Sequence, residues 1–153
     1  VNWSERIYDW AVAGLNDFPL AYLMLTEPRV GALSVAPEQD PSTRHPLRNA
    51  RFRDLYRGTL IGAGGFTPQS AHDAVKRGIY DMIAFGRWFL STPDLPARLR
   101  AGMPLNRYDR RTFYGGGAAG YTDYPDWAHI GSPGFGAYDL VNQRDIGVAL
   151  PRT

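Results

Sequence analysis

Two glycine-bearing turns, Gly64-Gly65-Phe66 and Phe85-Gly86-Arg87, stand one β/α unit apart, and each closes an apolar run. Residues 59–63 lead into the first turn and residues 80–84 into the second. Between them lie strong helix signals: Thr67 as cap, Pro68 at the first helical position, and Ala71, Ala74, Val75 and Gly78 as a face of small residues. This strand–helix–strand order predicts a parallel pair with both turns on the same sheet edge. In a (β/α)8 barrel that edge holds the active site, often with a phosphate bound by the loops after the last two strands and a short extra helix. Glycine lets backbone N–H groups approach an anion closely, and an arginine adds a bidentate charged contact. Two ordinary tight turns would give the same pattern, so both readings stand at this point.

Three buried-type strands are legible, at residues 20–26, 57–63 and 80–85. Three parallel strands cannot close a barrel, and an open set leaves two edges with unpaired backbone groups. Parallel strands also need both faces covered. The expected class is therefore α/β, an open parallel set that is incomplete without a partner, as a portion of a (β/α)8 barrel would be.

The remaining elements follow from local signals. Ser4 can cap a first helix, with Ile7, Trp10, Ala11, Gly14 and Leu15 on its apolar face. Residues 27–46 are rich in Pro, Gly, Ser and Asp and predict a long loop at the active-site end, with Glu27 and Arg29 as its charged candidates or as a turn-stabilising pair. A helix is expected over residues 47–56, a short one over 87–90, and a last one over 93–101. Gly131-Ser132-Pro133-Gly134-Phe135-Gly136 reads as a linker. Leu140, Val141, Ile146, Val148, Ala149 and Leu150 make the following tail more apolar than a disordered end usually is, which favours docking on a partner over a free tail. The expected division is a barrel part over residues 1–125 and a linker with docking tail over 126–153.

Composition excludes some classes. With no cysteine, disulfides and thiolate metal sites are ruled out, and the redox compartment is not legible. No apolar run approaches the length of a membrane span. Arginine supplies 16 of the 17 basic residues, clustered at Arg44, Arg48, Arg51, Arg53 and Arg57 and at Arg98, Arg100, Arg107, Arg110 and Arg111. Asp54, Asp94 and Asp109 interleave with them and the net charge is only +2, so an ion-paired helix surface or a protein interface is expected rather than nucleic-acid binding. Val1 in place of an initiator methionine reads as a processed or partial chain. No targeting segment is visible, and the compartment, intracellular or organellar, stays open.

Longer stretches carry a family likeness. Ala84-Phe85-Gly86-Arg87-Trp88-Phe89, Pro93-Asp94-Leu95-Pro96-Ala97-Arg98-Leu99 and Pro104-Leu105-Asn106 resemble the old yellow enzyme family of FMN-dependent ene-reductases. Asp109-Arg110-Arg111-Thr112-Phe113-Tyr114-Gly115-Gly116-Gly117 and Gly120-Tyr121-Thr122-Asp123-Tyr124-Pro125 resemble its C-terminal signature. Ala21-Tyr22-Leu23-Met24-Leu25-Thr26-Glu27-Pro28 resembles its sixth barrel strand. The likeness runs from about residue 5 to residue 125 and corresponds to the C-terminal part of the barrel.

The resemblance implies that Gly64, Gly65, Phe66, Gly86 and Arg87 hold an FMN phosphate, that Phe85 supports the second turn, and that Phe113 and Tyr114 line the flavin and substrate mouth. NAD(P)H is the implied reductant and an activated alkene the implied substrate. The family's substrate-anchoring His/Asn or His/His pair, its tyrosine proton donor and its flavin-facing arginine lie upstream of the matching region. No catalytic residue is therefore assigned, and His45, His72 and His129 are expected to be surface or structural. Two readings remain: the FMN-phosphate part of an ene-reductase, inactive alone, or a non-catalytic structural subunit of a larger assembly, an organellar one included.

Overall fold

The computed structural model describes residues 3–27, 47–136 and 138–146. Consecutive β/α units build its first layer: α1 (Trp3–Gly14), β1 (Leu23–Thr26), α2 (Phe52–Leu55), β2 (Leu60–Ala63), α3 (Pro68–Lys76) and β3 (Met82–Ala84). A second layer holds α4 (Arg87–Ser91), α5 (Leu95–Ala101) and a two-residue ribbon, β4 (Leu105–Asn106) with β5 (Leu140–Val141). The strands β1-β2-β3 form one parallel sheet, with Met24, Ile61 and Met82 in register across it. All three strands are shorter than their apolar runs. Among the described residues the outer edges of β1 and β3 carry no further strand, so the sheet is open.

The two faces of the sheet differ sharply. Leu23, Leu25, Leu60 and Ile83 pack on one side with Val12, Phe52, Ala71 and Ala74 of the helices. On the other side Met24 and Met82 are half exposed. A parallel sheet ordinarily has both faces covered, and here the helices cover one.

α3 matches its sequence signals. Thr67 and Ser70 form a reciprocal capping box, Pro68 occupies the first turn, and Ala71 and Ala74 are buried. Val75, expected on the same face, is exposed. α1 departs further. Ser4 lies inside the helix rather than ahead of it. Ile7 and Trp10 are 62% and 80% exposed, while Val12 makes the core contact. Helical periodicity finds an apolar stripe, but which surface meets it depends on the elements placed around the helix.

Residues 28–46, including Arg29, Arg44, His45 and most of the expected loop, lie outside the described residues, as do Val148, Ala149 and Leu150. Glu27 is fully buried and ties three elements together. Its carboxylate accepts from Arg48 N at 2.9 Å, from Asn49 N at 3.3 Å and from the Tyr80 hydroxyl at 2.5 Å. It is thus an anchor beneath the strand ends rather than a charge at the mouth. His72 and His129 are exposed, the latter with Nδ1 2.6 Å from Asp126 Oδ1.

The arginines divide in two. Arg51 and Arg53 form ion pairs with Asp9 and Asp81, as a charged surface would. Arg98 does not fit that expectation, being completely buried between α5, β4 and the chain at Pro125. The tail also differs from expectation. Through Ile146 it folds onto its own chain, where β5 pairs antiparallel with β4, and Val141 and Ile146 pack beside Leu95 and Leu105. No helix among the described residues is long and apolar enough to cross a membrane.

Candidate functional site

The ends of β2 and β3 open into one cleft of about 590 Å³, within the roughly 300–1,000 Å³ range of small-molecule sites. Gly64, Gly65, Phe66, Phe85, Gly86, Arg87, Phe113 and Tyr114 all line it. Positions far apart in the chain converge there because parallel β/α units put successive strand ends on one side of the sheet. Met24, Ala63 and Ala84 form its floor, from the sheet face that the helices leave uncovered.

The two glycine turns are built for different reasons. Gly64 has φ +89°, and a Cβ there would lie 2.8 Å from the Glu27 carbonyl oxygen and 3.1 Å from Thr26 Cγ2. Gly65 also has positive φ, at +67°. The first turn thus needs glycine for its own conformation and for its approach to the end of β1. Gly64→Ala is expected to destabilise the protein by about 1–3 kcal/mol, checked by the urea midpoint, with an unchanged midpoint contradicting the strain.

Gly86 is another matter. Its φ is −87°, in a region open to any residue, and a Cβ there would meet nothing within 4 Å. Neither backbone conformation nor packing within the described chain requires glycine at this point. What glycine provides is clearance on the cleft side, beside the first turn of α4, where helix geometry leaves N–H groups without intrahelical acceptors.

Arg87 and Arg110 are the charged side chains lining the cleft among the described residues. The Arg87 guanidinium lies 5.4 Å from the centroid of the Tyr108 ring. Tyr108 stands edge-on to Trp88 at 4.8 Å and stacks with Phe113 at 5.8 Å. One aromatic column therefore links the second turn to the segment bearing Phe113. Two guanidinium groups at one cleft suit an anionic group.

The expected aromatic residues play unequal parts. Phe66 is a core residue, edge-on to Tyr80 at 5.9 Å, and is only 5% exposed. Phe85 bridges the two hydrophobic clusters. Tyr114 is 83% exposed at the mouth. Its backbone is held at φ +59°, an outlier for a bulky residue, and its N–H donates to the Tyr121 hydroxyl at 2.7 Å.

Arg110 and Tyr121 were missed as site residues, although both stand in the signature stretches. Their place at the cleft depends on the fold-back of residues 109–121, which has no local periodicity to announce it. Asp109 initiates that fold-back, its carboxylate accepting from Arg111 N and Nε. The hydrogen bond from the Arg111 side chain holds the Asp109 carboxyl below its usual range, so it remains an acceptor well into acid. No group of three or more metal-ligating side chains occurs among the described residues.

Known proteins resemble the chain in sequence and in fold. The model of the NADH:flavin oxidoreductase / NADH oxidase family matches residues 7–106. The chain is 42% identical to 12-oxophytodienoate reductase 2 of Arabidopsis thaliana over 122 residues, covering 79% of this chain and 31% of that protein. It is 44% identical to the NADP-dependent oxidoreductase lnbE of Aspergillus flavus, covering 79% of this chain and 34% of the relative. Among solved structures, morphinone reductase superposes with a TM-score of 0.65 at 34% identity, over 82% of this chain and 32% of that one. The chain spans about a third of the length of these relatives.

Proposed function

Because the chain belongs to the NADH:flavin oxidoreductase / NADH oxidase family, the old yellow enzymes, and forms part of their (β/α)8 barrel, we propose that its cleft is the FMN-phosphate end of an ene-reductase active site. The observation that carries this reading is Gly86, a glycine that the described chain itself does not require, opening onto a cleft lined by two arginines. FMN bound there supplies the two-electron chemistry that carries reducing equivalents from NAD(P)H to an activated alkene.

The protein's part is positioning. Gly64 and Gly65 bring backbone close to the phosphate, Gly86 leaves room for it, and Arg87 supplies the charge-assisted hydrogen bond. Tyr108 braces the Arg87 guanidinium. Phe113 and Tyr114 offer aromatic surface where a ring system would extend towards the mouth. A nicotinamide reductant accords with the NADP-dependent relative and with the morphinone reductase structure solved with tetrahydroNAD. Further barrel strands, in cis or on a second polypeptide, would pair with the outer edges of β1 and β3 and cover Met24 and Met82.

FMN titration of wild-type and variant protein tests the assignment. A hydrogen bond to a charged group contributes about 1.5–3 kcal/mol, so Arg87→Ala is expected to weaken FMN by roughly tenfold to a hundredfold. Gly86→Ala should melt like wild type yet bind FMN more weakly, since its methyl group enters space that the fold leaves open. Wild-type affinity in both variants would remove the phosphate from this cleft.

A further inference from the structure

Residues 107–124 carry Phe113 and Tyr114 to the cleft with only a single 3-10 turn, Arg110–Thr112, as regular structure of their own. Their order therefore depends on what they pack against. One side is the Trp88–Tyr108–Phe113 column. The other side is the tail.

Tyr138 stacks on Tyr124 with ring centroids 3.9 Å apart and planes inclined by 29°. The Tyr138 hydroxyl donates to Asp123 Oδ2 at 2.8 Å, and Gly136 N donates to the Asp123 carbonyl at 3.0 Å. Tyr124 passes the contact on, because its hydroxyl accepts from Asp109 N at 2.9 Å. Asp109 in turn caps the 3-10 turn that delivers Phe113. Beyond Tyr138 the tail is pinned to the barrel layer. Arg107 N donates to the Asp139 carbonyl at 2.8 Å, β5 pairs with β4, and Gln143 Nε2 donates to the carbonyls of Arg98 and Met103 at 2.9 and 2.7 Å.

We infer that the tail is an intramolecular clamp on the cleft mouth, with Tyr138 as a positioning residue that acts through Tyr124 on the segment bearing Phe113 and Tyr114. The clamp stands on the contacts above. Its effect on a ligand rests on the proposed FMN site. The geometry persists across the neutral range, because burial, and then the bond to Asp123, push the Tyr138 hydroxyl up to about 12 and keep it a donor. Tyr124 is likewise raised by burial and stays protonated.

Amide hydrogen exchange on the 153-residue protein tests the clamp, comparing wild type, Tyr138→Ala and Tyr138→Phe. In Tyr138→Ala, exchange over residues 109–124 is expected to rise while residues 60–66 and 82–88 keep their protection. Tyr138→Phe keeps the ring stack and should recover most of the protection at 109–124. Unchanged exchange at 109–124 overturns the clamp, and so does an equal rise in every segment, which would make Tyr138 a general stabiliser. Loss of protection in Tyr138→Phe equal to that in the alanine variant would refute the stack as its basis.

Titrations with FMN and with inorganic phosphate supply the second readout. Losing one aromatic stack is expected to weaken FMN roughly two- to tenfold and inorganic phosphate by less, because Gly64, Gly65, Gly86 and Arg87 lie outside the clamped segment and only Arg110 lies within it. FMN affinity equal to wild type in a variant with a loosened mouth refutes the effect on ligand. Wild-type protein that binds neither probe refutes the FMN site, while the exchange data still decide the clamp.

Discussion

Arg98→Ala is expected to lower the melting temperature by roughly 10 °C or more. Arg98 is completely buried, and each nitrogen of its guanidinium donates a hydrogen bond. Nε donates to Asp94 Oδ1 at 2.8 Å, Nη1 to the Pro104 carbonyl at 3.1 Å and to Asn106 Oδ1 at 3.0 Å, and Nη2 to the Pro125 carbonyl at 3.0 Å. The guanidinium also lies 5.5 Å from the centroid of the Trp127 ring. Alanine would leave a carboxylate, an amide oxygen and two carbonyls short of a donor in the interior. Removing one partner of a buried ion pair costs about 3–5 kcal/mol, and a chain of this size shifts by roughly 2–4 °C for each kcal/mol.

Lysine should not rescue the site, because one ammonium cannot reproduce a planar fork that serves four acceptors. Arg100→Ala is the control, since Arg100 is exposed and its Nε reaches only the Pro96 carbonyl, at 3.1 Å. That substitution should stay within about 0.5 kcal/mol of wild type. Thermal melts followed by circular dichroism decide the matter. A change of under 3 °C in Arg98→Ala, on the order of 1 kcal/mol, would show that the buried network is dispensable.

Arg98 also marks where sequence reasoning stops. Its spacing from Asp94 is that of an ordinary surface pair one helical turn apart, and nothing local separates it from Arg100. Burial comes from Asn106 and from the Pro125 carbonyl 27 positions later, so only the tertiary arrangement reveals it. Glu27 is the same case, with its Tyr80 partner 53 positions away. Where the signal is local, the sequence reads well. Thr67, Ser70 and Pro68 announce the start of α3, and the apolar runs ahead of Gly64 and Gly86 announce β2 and β3.

The candidate site was legible for the same reason as the strands. Parallel β/α order places successive strand ends together, so turns 21 positions apart could be assigned to one cleft from their spacing. The tail was not legible, because Leu140 and Val141 announce apolar docking without naming the acceptor. Their acceptor is the two-residue edge of β4, too short to show any period.

The 153-residue protein supplied with FMN, NADPH and an α,β-unsaturated ketone is expected to show no turnover above that of free flavin. Strand supply is the first reason. Among the described residues the sheet has three strands, and Met24 and Met82 stand half exposed on the face that a closed barrel would fill. A cleft open on that side neither excludes water nor fixes a ring system against a substrate. Proton supply is the second. Among the described residues, Tyr114 and Tyr121 are the only neutral O–H donors among the side chains lining the cleft, and both are exposed at its mouth, 83% and 38%, rather than held inside it as a positioned acid must be. A positioned general acid contributes about 10²–10⁴-fold, so its loss alone would sink the rate towards background. Adding the N-terminal barrel strands of a relative, fused or in trans, should restore measurable turnover, and Arg87→Ala should then raise the FMN concentration needed for half-maximal rate. Turnover by the 153-residue protein alone, inhibited by Arg87→Ala, would show that three strands and this cleft suffice, and would place the proton donor among the tyrosines at its mouth.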